Sequence, residues 1–141
     1  MSLKEQDRAS LVVLGLEKAD KMLHEMDWLI EKGSWSLAAN RLYYALFHAV
    51  KALLINDAHP VGTHRGAVNQ FSLYYVKTGI FTKEDCKLYS HLQQLREEGD
   101  YNCAIDVEKE DVENKVLPTR ELIERIKQYV SINNNINELK K

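Results

Sequence analysis

Several things are scarce in this chain. Of its 141 residues only two are proline and six are glycine, too few turn-formers for an all-β domain of many short strands. Cys86 and Cys103 are its only cysteines. They lack a CxxC spacing, so they do not make a zinc site, and they read as reduced thiols rather than a disulfide framework. No apolar run approaches the ~18 residues of a membrane span. Lys4, Glu5, Asp7 and Arg8 precede any hydrophobic stretch, unlike a secretory leader. A cytoplasmic location and no membrane association are therefore expected. Positive charge is not in surplus either. The net charge is −2, whereas a chain gripping nucleic acid through many phosphates is usually basic. Walker and dinucleotide loops, an HExxH pair and a GxSxG elbow are all missing, so neither a metal nor another cofactor is expected.

What is present is helical periodicity. Apolar residues make up 45% and charged residues 28% of the chain, the balance of one ordinary globular domain. A domain of this length buries roughly 68–70% of the surface its unfolded chain exposes, enough for a true core. From Leu3 to about Glu31, Ala9, Val12, Val13, Leu16, Ala19, Leu23, Met26 and Ile30 recur every three or four positions. That spacing predicts an amphipathic helix, which Gly33 ends. Ser34 is placed to cap a second helix to about Asn56, apolar around most of its circumference and therefore central. Pro60 and Gly62 mark a loop. Thr63 then caps a third helix to about Lys77, with Ala67, Phe71 and Tyr74 inward and Gly79 as its stop. Thr82 and Asp85 have capping-box spacing and open a fourth helix with a Leu88, Leu92, Leu95 stripe, terminated or loosened at Gly99. A fifth pattern covers about Glu108 to Val130, where Pro118 predicts a kink or a split. The expected fold is all-α: an antiparallel up-down bundle of four to five helices over residues 1–130, its last helix kinked at Pro118, with a frayed tail over 131–141.

Polar residues interrupt this apolar pattern in three places. In "NRLYYALFHAVKALL", Arg41, Tyr44, His48 and Lys51 are spaced to share one helix face. That face is either the wet side of the helix or the wall of a pocket or dimer groove. Arginine suits phosphate through its planar fork of donors, and histidine exchanges protons near neutral pH. In "GTHRG", His64 and Arg65 fall in the first turn of the third helix, where unpaired N–H groups and the helix dipole receive anions; an ordinary Thr63 cap with two solvated neighbours is the alternative. In "LREEGDYN", Arg96 and Asp100 are four apart and Tyr101 follows. They are either an exposed pair worth only ~0.3–0.5 kcal/mol or part of a site at a helix end. His24, His59 and His91 read as surface or core filler.

Together "AANRLYYALFHAVKALL", "GTHRGAV" and "LREEGDYN" resemble the HEPN domain, in its small stand-alone prokaryotic branch, over roughly Leu3 to Val130. The resemblance implies an up-down helical bundle that acts as a homodimer. It also implies RNA or a nucleotide as ligand, metal-independent ribonuclease or toxin activity, and a nucleotidyltransferase or antitoxin as partner. On this basis Arg96, Asp100, His48 and His64 are candidate catalytic residues, and Arg41, Tyr44, Arg96 and Tyr101 candidate phosphate or nucleotide contacts. The sequence departs from the family at one point. The family's signature is an arginine followed after four to six residues by a histidine, and here Tyr101, Asn102 and Cys103 stand in those positions. An acid or base works best with a pKa near the operating pH, which an ordinary Asp100 near ~3.9 or Tyr101 near ~10 does not offer. His48 or His64 would have to supply the group. The family's modified tyrosine lies two residues beyond its histidine; Cys103 occupies that offset, with Tyr101 as the nearest acceptor. The departure keeps open a non-catalytic companion of a minimal nucleotidyltransferase, and a purely structural bundle.

Overall fold

The computed structural model describes the backbone of residues 4–101 and 107–139, and the side chains of 4–97 and 107–131. Five α-helices follow one another: α1 (Glu5–Glu31), α2 (Trp35–Asn56), α3 (His64–Phe71) continued by a π-helical turn (Ser72–Val76), α4 (Lys83–Tyr101) and α5 (Lys109–Leu139). The fold is all-α, and no strand occurs among the described residues. No helix is long and apolar enough to cross a membrane among those residues.

The α1–α2 hairpin forms because Gly33 accepts φ +72°, a left-handed conformation that suits glycine. Its N–H donates to the carbonyl of Ile30 and that of Ser34 to Leu29, the bond pair of a Schellman C-cap. Ser34 holds the N-cap position of α2, but its side chain makes no capping bond. The two helices run antiparallel and approach closely where Gly15 meets Ala52. A Cβ on Gly15 would lie 3.1 Å from the Ala52 Cβ. Further along, Arg41 Nε reaches Glu25 Oε2 at 2.9 Å. α5 is antiparallel to α1 as well, tied by Arg120 to Asp27 and Lys127 to Asp20.

α2 is the central helix. Leu42, Tyr43, Ala45, Leu46, Ala49, Val50, Leu53 and Leu54 are each essentially solvent-free, so almost its whole circumference is covered. At its far end Asp57 Oδ2 accepts hydrogen bonds from the Tyr75 hydroxyl at 2.7 Å and the Tyr129 hydroxyl at 2.9 Å, joining α2, the π-turn and α5.

Three details differ from expectation. The third helix does not continue regularly to Lys77: Ser72–Val76 adopts the wider π-turn. Tyr75, four residues after Phe71 as Phe71 is after Ala67, is buried, and Tyr74 is only partly so. In α4, Leu88 and Leu95 are half-covered, whereas Asp85, Tyr89 and Leu92 are buried; the helix also continues past Gly99 to Tyr101. Finally, α5 is not split at Pro118 and runs on to Leu139. The proline removes one N–H donor on an exposed face. On either side of it the Thr119 hydroxyl donates to the Lys115 carbonyl at 2.7 Å and Lys115 Nζ to the Asp111 carbonyl at 2.6 Å.

A basic, aromatic pocket at the junction of α2, α3 and α4

Asp85, Tyr89, Leu92 and Arg96 are spaced by four, three and four residues, so one α4 stripe carries all four side chains. Asp85 anchors that stripe. Its Oδ2 accepts from the Thr82 N–H at 3.0 Å while the Thr82 hydroxyl accepts from the Asp85 N–H at 3.1 Å, the reciprocal capping box. Arg125 of α5 grips both carboxylate oxygens at 2.7 and 2.8 Å. Burial raises the Asp85 pKa, but the Arg125 and Thr82 hydrogen bonds more than offset it and leave the carboxyl below its usual 3.8. With α4 set in this way, Arg96 reaches α2. Its guanidinium carbon lies 5.3 Å from the Tyr43 ring centre and 5.4 Å from that of Tyr44, within cation–π range.

α3 brings in the histidine. Thr63 Oγ1 accepts from the Gly66 N–H at 3.0 Å, so Thr63 caps the helix as expected and His64 is its first residue. The imidazole lies face to face with Phe47 at 4.2 Å and 14°, edge-on to Tyr44 at 5.7 Å. Its Nδ1 is 3.1 Å from the Tyr43 hydroxyl. Burial, Arg96 and Lys51, in that order, lower its pKa below the usual 6.5. For Tyr43, burial dominates over the opposing Arg96 charge and pushes the phenol up to about 12.

These groups border an open pocket of about 670 Å³ lined by Thr63, His64, Arg65, Gln93, Arg96 and Glu97. Gln93 Nε2 is buried and has no hydrogen-bond acceptor among the described residues. Arg65 approaches Glu97 at 3.6 Å, but it is 82% exposed, so this pair contributes little. His48 lies one turn along α2, with its ring 6.3 Å from Tyr44. Burial, Lys18, Lys51 and His64 lower its pKa. Lys18 of α1, Lys51 of α2 and His64 of α3 thus act on His48, and Arg96 of α4 and Lys51 on His64.

Of the residues singled out by sequence, His64, Arg96 and Tyr44 meet directly and His48 flanks them. Arg41 does not line this pocket. It pairs with Glu25, donates to Asn40 Oδ1 at 2.6 Å, and borders a separate cavity of about 370 Å³ with His24 and Trp28. The side chains of Asp100 and Tyr101 lie outside the described residues. Tyr43, Gln93 and Lys18 were not anticipated. Tyr43 falls on the apolar flank of α2 and reads as core, and nothing local to Gln93 or Lys18 marks either. The inward position of Arg96, by contrast, follows from its spacing to Asp85, Tyr89 and Leu92. Among the described residues no three His, Cys, Asp or Glu side chains gather as a metal site would require.

The chain belongs to the HEPN domain family, whose sequence profile matches residues 12–129. It is 27% identical to a UPF0332 protein of Thermotoga maritima over 88% of this chain and 94% of that protein. A UPF0332 protein of Archaeoglobus fulgidus is 31% identical, covering 85% of this chain and 95% of its own length. A protein of Methanocaldococcus jannaschii named as a candidate toxin is 28% identical over 86% of this chain and 82% of its own.

Proposed function

We propose that this HEPN domain holds a phosphate-bearing ligand, RNA or a nucleotide, in the α2–α3–α4 pocket, and that as a homodimer it acts as a metal-independent ribonuclease or toxin component. The observation that carries this reading is the convergence of His64 and Arg96 on the same two tyrosines at the border of one open pocket. The guanidinium supplies a donor fork for phosphate oxygens and for the charge that builds on them in a transition state. If RNA is cleaved, a base takes the 2′-hydroxyl proton and an acid returns one to the departing 5′ oxygen; His64, with His48 beside it, is the group suited to that exchange. Asp100, where the family resemblance puts it, would orient Arg96, and Tyr101 would extend the ligand contacts. The candidate-toxin relative is consistent with an antitoxin as physiological partner.

The test is incubation of single-stranded RNA with purified protein in chelator, comparing wild type with Arg96→Ala and His64→Ala. Retention or cleavage by wild type, reduced at least about tenfold in Arg96→Ala, is expected; losing a charged hydrogen-bonding group costs about 1.5–3 kcal/mol. Indistinguishable behaviour of wild type and Arg96→Ala rejects the proposal. A second reading is favoured by the Tyr101, Asn102 and Cys103 run where the family carries histidine: a non-catalytic companion subunit of a minimal nucleotidyltransferase. It requires co-elution with such an enzyme encoded beside it, and separate elution removes it.

A further inference from the structure

We infer that Tyr43 is a positioning residue of this pocket: its hydroxyl donates to His64 Nδ1, so that the neutral imidazole carries its proton on Nε2 and offers an N–H donor beside Arg96. This rests on reading the pocket as a phosphate site, and it assigns a hydrogen-bond direction to a contact that could run either way. Tyr43 is fully buried, and His64 Nδ1 is the one hydrogen-bond partner of its hydroxyl among the described residues. A phenol proton facing away from that nitrogen would be buried without an acceptor, which costs about 1–3 kcal/mol. A phenol with its pKa near 12 is never the anion that would prefer to accept.

The surroundings fix the rest. Phe47 stacks on one face of the imidazole and Tyr44 meets it edge-on, so the ring cannot easily turn over to exchange its nitrogens. Other groups acting on the ring are Arg96 from α4 and Lys51 from α2, with His48 coupled from the same helix. All of these are cationic or proton-accepting, and they disfavour a second proton on His64. The remaining ring nitrogen, Nε2, therefore meets a ligand as a donor. With the Arg96 guanidinium, the pocket then presents hydrogen-bond donors from α3 and α4 to one anion. Proton abstraction at Nε2 requires the other tautomer: Nε2 releases its proton to water in the open pocket, Nδ1 takes one up, and the Tyr43 hydroxyl turns to accept from Nδ1–H, leaving the lone pair on Nε2. The rotor of Tyr43 thus separates anion holding from base chemistry.

The experiment is nitrogen NMR of ¹⁵N-histidine-labelled protein above the His64 pKa, in wild type and Tyr43→Phe, with affinity for a single-stranded RNA oligonucleotide measured on both. Wild-type His64 is expected to show a protonated Nε2 and a hydrogen-bonded, unprotonated Nδ1. Tyr43→Phe should yield mixed tautomers, an upward shift of the His64 pKa because the bond favouring the neutral ring is lost, and RNA binding weakened about three- to tenfold. An Nδ1–H tautomer in the wild type overturns the inference, as does a His64 spectrum and pKa unchanged in Tyr43→Phe. Should Tyr43→Phe not fold, the wild-type tautomer alone decides. If the wild type binds no RNA, the phosphate-site reading fails, and the NMR still determines what Tyr43 does.

Discussion

Ala58 enters the left-handed region with φ +59°, immediately after α2. Its N–H donates to the Ile55 carbonyl and that of His59 to Leu54, the same C-cap that Gly33 forms after α1, but here with a Cβ in the way. An L residue in this conformation costs about 1 kcal/mol or more. Ala58→Gly is therefore expected to stabilise the protein by about 0.5–1 kcal/mol, read as a higher urea midpoint at constant slope. Histidine protonation works in the opposite direction. His48 and His64 have folded pKa values below the ordinary 6.5, so below pH 6.5 the unfolded chain takes up protons that the folded chain resists. Stability is expected to fall as pH drops from 6.5 toward the folded values. His48→Gln should flatten that part of the urea-midpoint profile. A profile of unchanged slope contradicts the environment described for His48.

At the scale of elements, α4 is held by a residue far from it in sequence. Asp85 is 8% exposed at its side chain and Arg125 44%, so the pair is protected from water on one side only. Asp85→Asn removes the charge, and Arg125→Met removes the partner. Each is expected to cost about 1–3 kcal/mol, less than a fully buried pair would, and each should loosen the seat of Arg96, seen as weaker RNA retention beyond the loss of stability. Because the Asp85 carboxyl titrates below its usual value, its contribution is complete above pH 3.8 and is lost as pH falls through the folded pKa. Half of this arrangement is legible in the chain: threonine and aspartate three apart announce the box. Arg125 is not, because a bidentate partner forty residues away leaves no local trace. Tyr75 is a different case, since positions three and four after Phe71 both border its helix face and the period alone does not choose between Tyr74 and Tyr75. Pro118 shows the converse. A local rule allows a kink or a split there, and the helix is not split, its missing donor lying on the solvent side. The pocket follows the same division. His64 and Arg96 stand out as polar residues in motif segments, while Arg41 shares helical spacing with Tyr44 yet is claimed by Glu25 of a neighbouring helix.

For the whole molecule, the net charge of −2 conceals a local asymmetry. Lys51 and Arg96 act on His64 and Lys18 acts on His48, so among the described residues cationic groups outnumber the one carboxylate, Glu97, around the pocket. Binding of single-stranded RNA should therefore depend on salt, but only modestly. With about two or three phosphates neutralised, the logarithmic slope against salt is expected to be about −1.5 to −2. Isothermal titration at three salt concentrations measures it, and a slope near zero would show that no phosphate is gripped. The α1–α2 hairpin supports this geometry from beneath. The close approach at Gly15 and Ala52 lets α1 bring Lys18 near His48.

The stacking of Phe47 on His64 at 4.2 Å and 14° has a practical consequence. Circulating π electrons shield nuclei held above a ring face, so the carbon-bound imidazole protons of His64 should resonate upfield, as should those of His59, which stacks on Tyr74 at 3.8 Å and 4°. The protein thereby carries its own reporter: any occupant of the pocket that tilts this ring, even slightly, will move the His64 resonances and leave those of His59 in place.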